Sequence, residues 1–256
     1  MIDLHCHIIP WVDDGAQNAK TACVMAQHAL HSGVDTIVAT PHCNLFGMRG
    51  LNCANYRSRR YDEMLGLFRA LLRQHGLPLR VLPGAEVFVH PANLSALLEE
   101  RRLVTLNHSR YLLTEFPFQA DGMDISLLLA RVAQSGLTPV VAHPERYAAV
   151  QDDLSLAAQW VEKGYVIQLN KGSLLGRLGD GAQYASRALL RRGLVHVVAT
   201  DAHDPRYRPT GFVSLLPVLR ELCSPEAVAL LLDGNPYRII HDLPVTPLQV
   251  VQHRGF

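Results

Sequence analysis

The sequence has little of what marks several large protein classes. Its 24 basic and 23 acidic side chains leave a formal net charge of +1, so no one-signed field points to nucleic acid or to an anionic membrane surface. No apolar run approaches the roughly 20 residues that a membrane-spanning helix needs. His5 and His7 stand where the apolar stretch of a signal peptide would have to be; no membrane insertion and a cytoplasmic location are therefore expected. The five cysteines, Cys6, Cys23, Cys43, Cys53 and Cys223, are odd in number and contain no CxxC pair, which indicates neither a disulfide framework nor a structural zinc knuckle. There is no GxGxxG and no P-loop to mark a nucleotide-binding open sheet. No linker, low-complexity tract or short repeat divides the chain, and its 256 residues are read as one domain, 1–256.

Hydrophobic residues make up 48% of the chain, enough for a substantial core and too many for a disordered protein. The first strand runs straight into His5-Cys6-His7. Side chains two apart on a strand share a face, so His5 and His7 can reach one point while Cys6 points away. Two imidazoles held that way suit a divalent cation; taken alone, they are equally two histidines on an edge strand.

Strands and helices then alternate. Helices are expected over Asn18 to Ser32, Tyr56 to His75, Ala92 to Arg101, Asp124 to Ser135, Leu154 to Lys163 and Ala182 to Arg192, several stopped by glycine. Strands are expected over Val34 to Thr40, Leu79 to Glu86, Tyr111 to Glu115, Thr138 to Ala142, Val166 to Asn170 and Val195 to Thr200. Two last helices cover Val213 to Leu222 and Pro225 to Leu232, and Cys43 to Asn55 reads as a loop. Seven strand–helix units predict a parallel α/β sheet with crossover helices, and favour a barrel over an open sheet.

His42, Glu86, Glu115, His143, Asp201 and His203 each fall at or just past the C-terminal end of a predicted strand. In a parallel barrel those ends meet on one face, where barrel enzymes keep their active sites. With His5 and His7, imidazoles and carboxylates would converge on one rim. A mixed N/O donor set without thiolate suits Mn, Fe or Zn in a multinuclear hydrolytic site.

Met1 to Gly15, Thr40-Pro41-His42, Pro83-Gly84-Ala85-Glu86, Glu115-Phe116-Pro117, His143-Pro144-Glu145-Arg146 and Thr200-Asp201-Ala202-His203 resemble the PHP (polymerase and histidinol phosphatase) superfamily. More narrowly they resemble its CpsB/YwqE-type bacterial manganese-dependent protein tyrosine phosphatases, over nearly the whole chain. The resemblance implies a distorted seven-stranded (β/α)7 TIM-like barrel, the PHP fold, with up to three Mn²⁺ ions. It implies that His5, His7, Glu86 and Asp201 hold one metal and that Glu86 bridges to a second, completed by Glu115 and His143. Asp14, His42 and His203 would hold a third, with Asp13 the neighbour that could stand in Asp14's place. Arg146 and Arg206 match positions that grip the phosphate. The implied reaction is attack of a metal-bridging hydroxide on phosphotyrosine, on a tyrosine autokinase that controls capsule or exopolysaccharide synthesis. Glu115, where other members of the superfamily often have histidine, favours this branch over small-molecule phosphatases such as histidinol phosphatase. A third reading is a PHP module that only binds or scaffolds.

One segment points elsewhere. His42-Cys43 followed by Arg49 fits H-C-x5-R, the cysteine-phosphatase signature. Cys53 to Arg59 fits C-x5-R as well, and Leu45, Phe46 and Met48 replace the small residues that such a phosphate cradle wants. The metal reading is preferred.

Overall fold

The computed structural model describes residues 1–43, 59–92, 94–99 and 105–249. Its strands are β1 (Ile2–Cys6), β2 (Thr36–Ala39), β3 (His42–Cys43), β4 (Arg80–Pro83), β5 (Glu86–Phe88), β6 (Tyr111–Glu115), β7 (Thr138–Ala142), β8 (Val166–Asn170) and β9 (Val197–Ala199). All pairings between them are parallel, in the orders β1-β2-β4 and β3-β5-β6-β7-β8-β9. Between the two ends, Asp201 N–H donates to His5 O at 2.8 Å and His7 N–H to Ala202 O at 2.9 Å, with a parallel bridge between Cys6 and Ala202. With β2–β3 and β4–β5 each counted as one interrupted track, seven strands close into a parallel barrel.

The interruptions correct the expectation that Leu79 to Glu86 forms one strand: His42 and Glu86, expected at or just past strand ends, each open a short second strand. Pro41 has no N–H to give a ladder, and Gly84 lies so close to β2 that a Cβ would sit 2.7 Å from Val38 Cγ1. The chain breaks there and re-pairs three residues on in the same register, Ala39 opposite Pro83 before the break and His42 opposite Glu86 after it. The backbone groups freed at the break do not go unsatisfied. Tyr61, on α2 (Arg59–Gln74), accepts from Gly84 N–H and donates to Gly84 O, each at 2.9 Å.

The helices around the barrel track the sequence pattern. α1 (Ala19–His31) opens with the Asn18 side chain accepting from Thr21 N–H, and Gly33 follows at φ +80°. Beyond α2 come α3 (Leu94–Glu99), α4 (Gly122–Gln134), α5 (Ala148–Asp152), α6 (Ser155–Glu162), α7 (Lys171–Leu174), α8 (Asp180–Arg191), α9 (Leu216–Leu222), α10 (Pro225–Ala229) and α11 (Asn235–Ile240). A π turn, Leu230–Gly234, joins the last two. The first residues of the expected Tyr56 helix and nearly all of the expected Cys43 loop lie outside the described residues. No helix among the described residues is long and apolar enough to cross a membrane.

Two apolar layers show which way each strand residue points. Leu4, Val38, Leu82, Leu113, Val140, Val166 and Val197 cluster inside the barrel, with Ile239 and Ile240 of α11 packed against them. Cys6, Ile37, Ala39, Cys43, Val87, Leu112, Val141, Ile167 and Val198 join the outer layer with the helices. This alternation aims the polar residues.

Candidate metal centre

β1 changes phase before it reaches its histidines. Asp3 pairs with Ile37 and Cys6 with Ala39, so three steps on β1 match two on β2. This bulge lets Leu4 and His5 both face inward and sends Cys6 outward, re-aiming the strand as bulges beside active sites do. Asp3, facing out, accepts from Thr200 N–H at 3.0 Å and from its hydroxyl at 2.5 Å. Glu86 pairs with the inward Leu113, so Glu86 and its partner His42 face inward; Glu115 shares the parity of Leu113. His143 would point outward by alternation from Ala142. It instead takes a left-handed backbone, φ +35°, and Asp201 does the same at φ +49°. Such conformations cost on the order of 1–3 kcal/mol each, and they cluster where a side chain has to be aimed.

All the expected ligands, His5, His7, Asp14, His42, Glu86, Glu115, His143, Asp201 and His203, gather at this rim. Among the described residues, three groupings of donor atoms are tight enough for one ion: His7, Asp14, His42 and His203; His5, His7 and Glu86; and His42, Glu86 and Glu115. Glu86 is the hub. Its Oε1 lies 3.2 Å from His5 Nε2 and 2.9 Å from His143 Nε2, and its Oε2 lies 3.4 Å from His7 Nε2 and 2.9 Å from His42 Nδ1. A carboxylate whose two oxygens each face a pair of imidazoles is placed to bridge two cations. Asp201 Oδ1 lies 3.4 Å from His5 Nε2 and 3.5 Å from His7 Nε2. Asp14 Oδ1 lies 3.4 and 3.5 Å from the Nε2 atoms of His42 and His203.

A surrounding set of polar groups fixes the ring tautomers. His5 Nδ1 is 2.9 Å from Gln168 Oε1, His7 Nδ1 is 2.7 Å from Asp13 Oδ2, and His203 Nδ1 is 3.1 Å from Asp201 O. Each acceptor draws the proton to Nδ1 and leaves Nε2 with its lone pair toward the cluster. Asp13 and Asp14 thus separate: Asp13 orients His7 and also accepts from His42 N–H and Gly15 N–H at 3.0 Å, whereas Asp14 faces the histidines of the rim. Gln168 donates to Asn170 Oδ1 at 3.0 Å, and Asn170 to Asp201 Oδ2 at 2.5 Å. Gln168, Asn170 and the orienting role of Asp13 were not among the residues expected from sequence; polar Gln168 and Asn170 at the inward positions of an otherwise apolar strand were the available signal.

The charges say what the site wants. Burial opposes ionisation of Glu86, yet the imidazoles of His5 and His42 hold its carboxyl well below the usual range. Burial likewise opposes the cationic form of His42, yet Glu86 and Glu115 raise it to about 10. Carboxylates that draw protons onto neighbouring imidazoles would draw a divalent ion in their place, with release of those protons. Glu115 Oε2 and His143 Nδ1 are buried without a hydrogen-bond partner, as expected of groups whose partner is not protein. The donor set of imidazole and carboxylate, with no thiolate, fits manganese, iron or zinc.

Two arginines border the cluster. Arg146 Nη1 lies 3.6 Å from Asp201 Oδ2, and Arg208 Nη2 lies 2.5 Å from the same oxygen. Arg206, the second arginine expected to grip phosphate, is exposed, with its guanidinium 5.2 Å over the Tyr207 ring. Asp204 turns the segment back: its carboxylate accepts from the N–H groups of Arg206, Tyr207 and Arg208 at 2.7, 2.6 and 3.1 Å. Buried Lys171 donates to the carbonyls of Pro209 and Gly211 and fixes the far side. Cys43 pairs with outward Val87 and lies in the outer layer, away from the cluster; Arg49 of the cysteine signature lies outside the described residues. Burial and the charge of Asp3 push the Cys6 thiol well up, so it stays protonated.

The family model for capsular polysaccharide synthesis, CpsB/CapC, matches residues 1–241. Tyrosine-protein phosphatase YwqE of Bacillus subtilis (strain 168) is 37% identical over 208 residues, 81% of this chain and 79% of that protein. Tyrosine-protein phosphatase CpsB of Streptococcus pneumoniae is 30% identical over 249 residues, 94% of this chain and 99% of that protein. One of the crystal structures of YwqE and CpsB, described as unique metal-dependent tyrosine phosphatases, aligns at a TM-score of 0.84 and 32% identity over 98% of each chain. With the family model matched over residues 1–241 and the fold matched over nearly its whole length, the chain belongs to the CpsB/CapC family of capsular polysaccharide synthesis proteins.

Proposed function

We propose that this protein is a metal-dependent protein tyrosine phosphatase of the CpsB/CapC type, working with Mn²⁺ on a phosphorylated tyrosine autokinase of capsule or exopolysaccharide synthesis in the cytoplasm. The observation that carries the reading is the position of Glu86, shared between four imidazoles and flanked on the Asp201 side by two guanidiniums. Nine side chains would hold the ions: His5, His7, Asp14, His42, Glu86, Glu115, His143, Asp201 and His203. Bound ions supply Lewis acidity and a water acidified enough to attack phosphorus near neutral pH.

The chain's own groups do the rest. Arg146 and Arg208 would hold the peripheral phosphoryl oxygens, where a planar guanidinium meets two oxygens at once and offsets their growing charge. Arg208, rather than the exposed Arg206, is favoured for the second position because its guanidinium reaches Asp201. Asp13, Gln168 and Asn170 keep the ligands in register. The leaving phenolate has a pKa near ~10, so the reaction asks less of a general acid than an alkyl ester would.

The test compares kcat/KM of the manganese-loaded protein on a phosphotyrosine peptide and on histidinol phosphate. Higher kcat/KM on the peptide is expected. Preference for histidinol phosphate would assign the site to small-molecule hydrolysis instead.

A further inference from the structure

Phe118 is a large apolar side chain left 38% exposed at the edge of the metal centre. Its ring centroid lies 5.9 Å from that of His143, edge-on at 64°, and 6.2 Å from that of Tyr147. The Arg146 guanidinium sits over the ring with Cζ 4.2 Å from its centroid, well inside cation–π range. The backbone is fixed too: Ala148 N–H donates to Phe118 O at 2.8 Å and Ala120 N–H to Pro117 O at 2.9 Å. An aromatic ring is thus held rigidly beside a metal-facing histidine and a phosphate-facing arginine, with part of its surface open to solvent.

From this we infer that Phe118 is a specificity-determining residue, an aromatic wall that favours aryl over alkyl phosphate esters at this site. The inference rests on the phosphatase reading above and adds to it the group that recognises the alcohol side of the ester. A phosphoryl group held by Arg146, whose Cζ is 4.2 Å from the Phe118 centroid, would bring the ring of an aryl ester, one oxygen away from phosphorus, toward Phe118, where aromatic rings pair over roughly 4.5–7 Å. A serine or threonine ester puts only a short aliphatic stem there. The metal ions and arginines would act on the phosphoryl oxygens, which are the same in both esters; the better leaving group favours the aryl ester in the chemical step, but discrimination in binding has to come from a group that meets the alcohol side.

A binding measurement separates this role from a mere prop for Arg146. Calorimetry on the manganese-loaded protein would compare phenylphosphonate, methylphosphonate and inorganic phosphate, with wild type, Phe118→Leu and Phe118→Trp. The wild type is expected to prefer the phenyl ligand. Phe118→Leu should shrink the phenyl-to-methyl affinity ratio by roughly 2- to 10-fold while phosphate binds nearly as before, and Phe118→Trp should keep the ratio. An unchanged ratio in Phe118→Leu, or an equal loss for all three ligands, would overturn the inference. Failure of the wild type to hydrolyse phosphotyrosine peptide is a different result, and would count against the functional reading instead.

Discussion

Asp13 gives the sharpest test of how the centre is held. Its Oδ2 takes His7 Nδ1–H at 2.7 Å and His42 N–H at 3.0 Å, and its Oδ1 takes Gly15 N–H at 3.0 Å. Asp13→Asn keeps the shape and one acceptor oxygen. If that oxygen stands at the Oδ1 place, His7 and His42 both face an NH₂ group; if it stands at Oδ2, Gly15 N–H does. One orientation strips His7 of the acceptor that keeps its proton on Nδ1 and moves that proton to Nε2, the atom aimed at the metal. The other leaves a buried donor unsatisfied, at about 1–3 kcal/mol. Loss of an outer partner of a ligand typically costs 10- to 100-fold in metal affinity, or about 1.4–2.8 kcal/mol. Titration of the metal-free variant with Mn²⁺ by calorimetry should show that weakening, with a thermal melt confirming that it is folded. Because one amide orientation leaves His7 its acceptor, Asp13→Ala, which has none in either orientation, is the deciding variant: a folded Asp13→Ala protein that binds Mn²⁺ as tightly as the wild type would refute the orienting role.

Other outcomes follow from the same geometry. Arg208→Met should lower kcat/KM on phosphotyrosine peptide by about 10- to 100-fold, the worth of one charge-assisted contact; steady-state kinetics would expose the error if Arg206→Met proved the more damaging. Gly15→Ala should displace His7, because a Cβ there would run into the His7 carbonyl oxygen and Cβ; metal content measured by mass spectrometry should fall. Buried His196 accepts Ile167 N–H on Nδ1 at 3.1 Å, and burial lowers its pKa to about 4. The unfolded chain therefore takes up a proton near pH ~6.5 that the native state refuses until about 4. Stability falls as pH drops through that window, at most about 1.4 kcal/mol per pH unit from this group. Urea midpoints against pH should show a shallower decline in His196→Asn, which keeps an acceptor and cannot titrate.

Much of the fold was legible because the helix stops are glycines and the central strands are short apolar runs: β6, β7 and β8 have the bounds expected of them. The strand breaks were not, since Pro83-Gly84 can continue a strand locally; in the structure Gly84 leaves the ladder and its N–H goes to the Tyr61 hydroxyl, a partner on a distant helix. α11 was also missed; Pro236 lies in its first turn, where a missing N–H costs nothing. At the centre, histidines and carboxylates near strand ends announced themselves by type and place. Which of two neighbours points to the rim did not: Asp14 rather than Asp13 lies near the Nε2 atoms of His42 and His203, and Arg208 rather than Arg206 reaches Asp201, only because of how a turn aims them. The bulge in β1 is likewise a matter of pairing with β2, which lies thirty residues away in the chain and leaves no mark on Ile2 to Cys6.

Bound metal, not a thiolate, is expected to drive hydrolysis of phosphotyrosine. Chelation followed by stepwise return of Mn²⁺, with turnover of a phosphotyrosine peptide followed throughout and Cys43→Ser run beside the wild type, addresses it most directly. Activity should vanish on chelation, return with Mn²⁺ and be the same in both proteins. Turnover that survives chelation and disappears in Cys43→Ser would contradict the account.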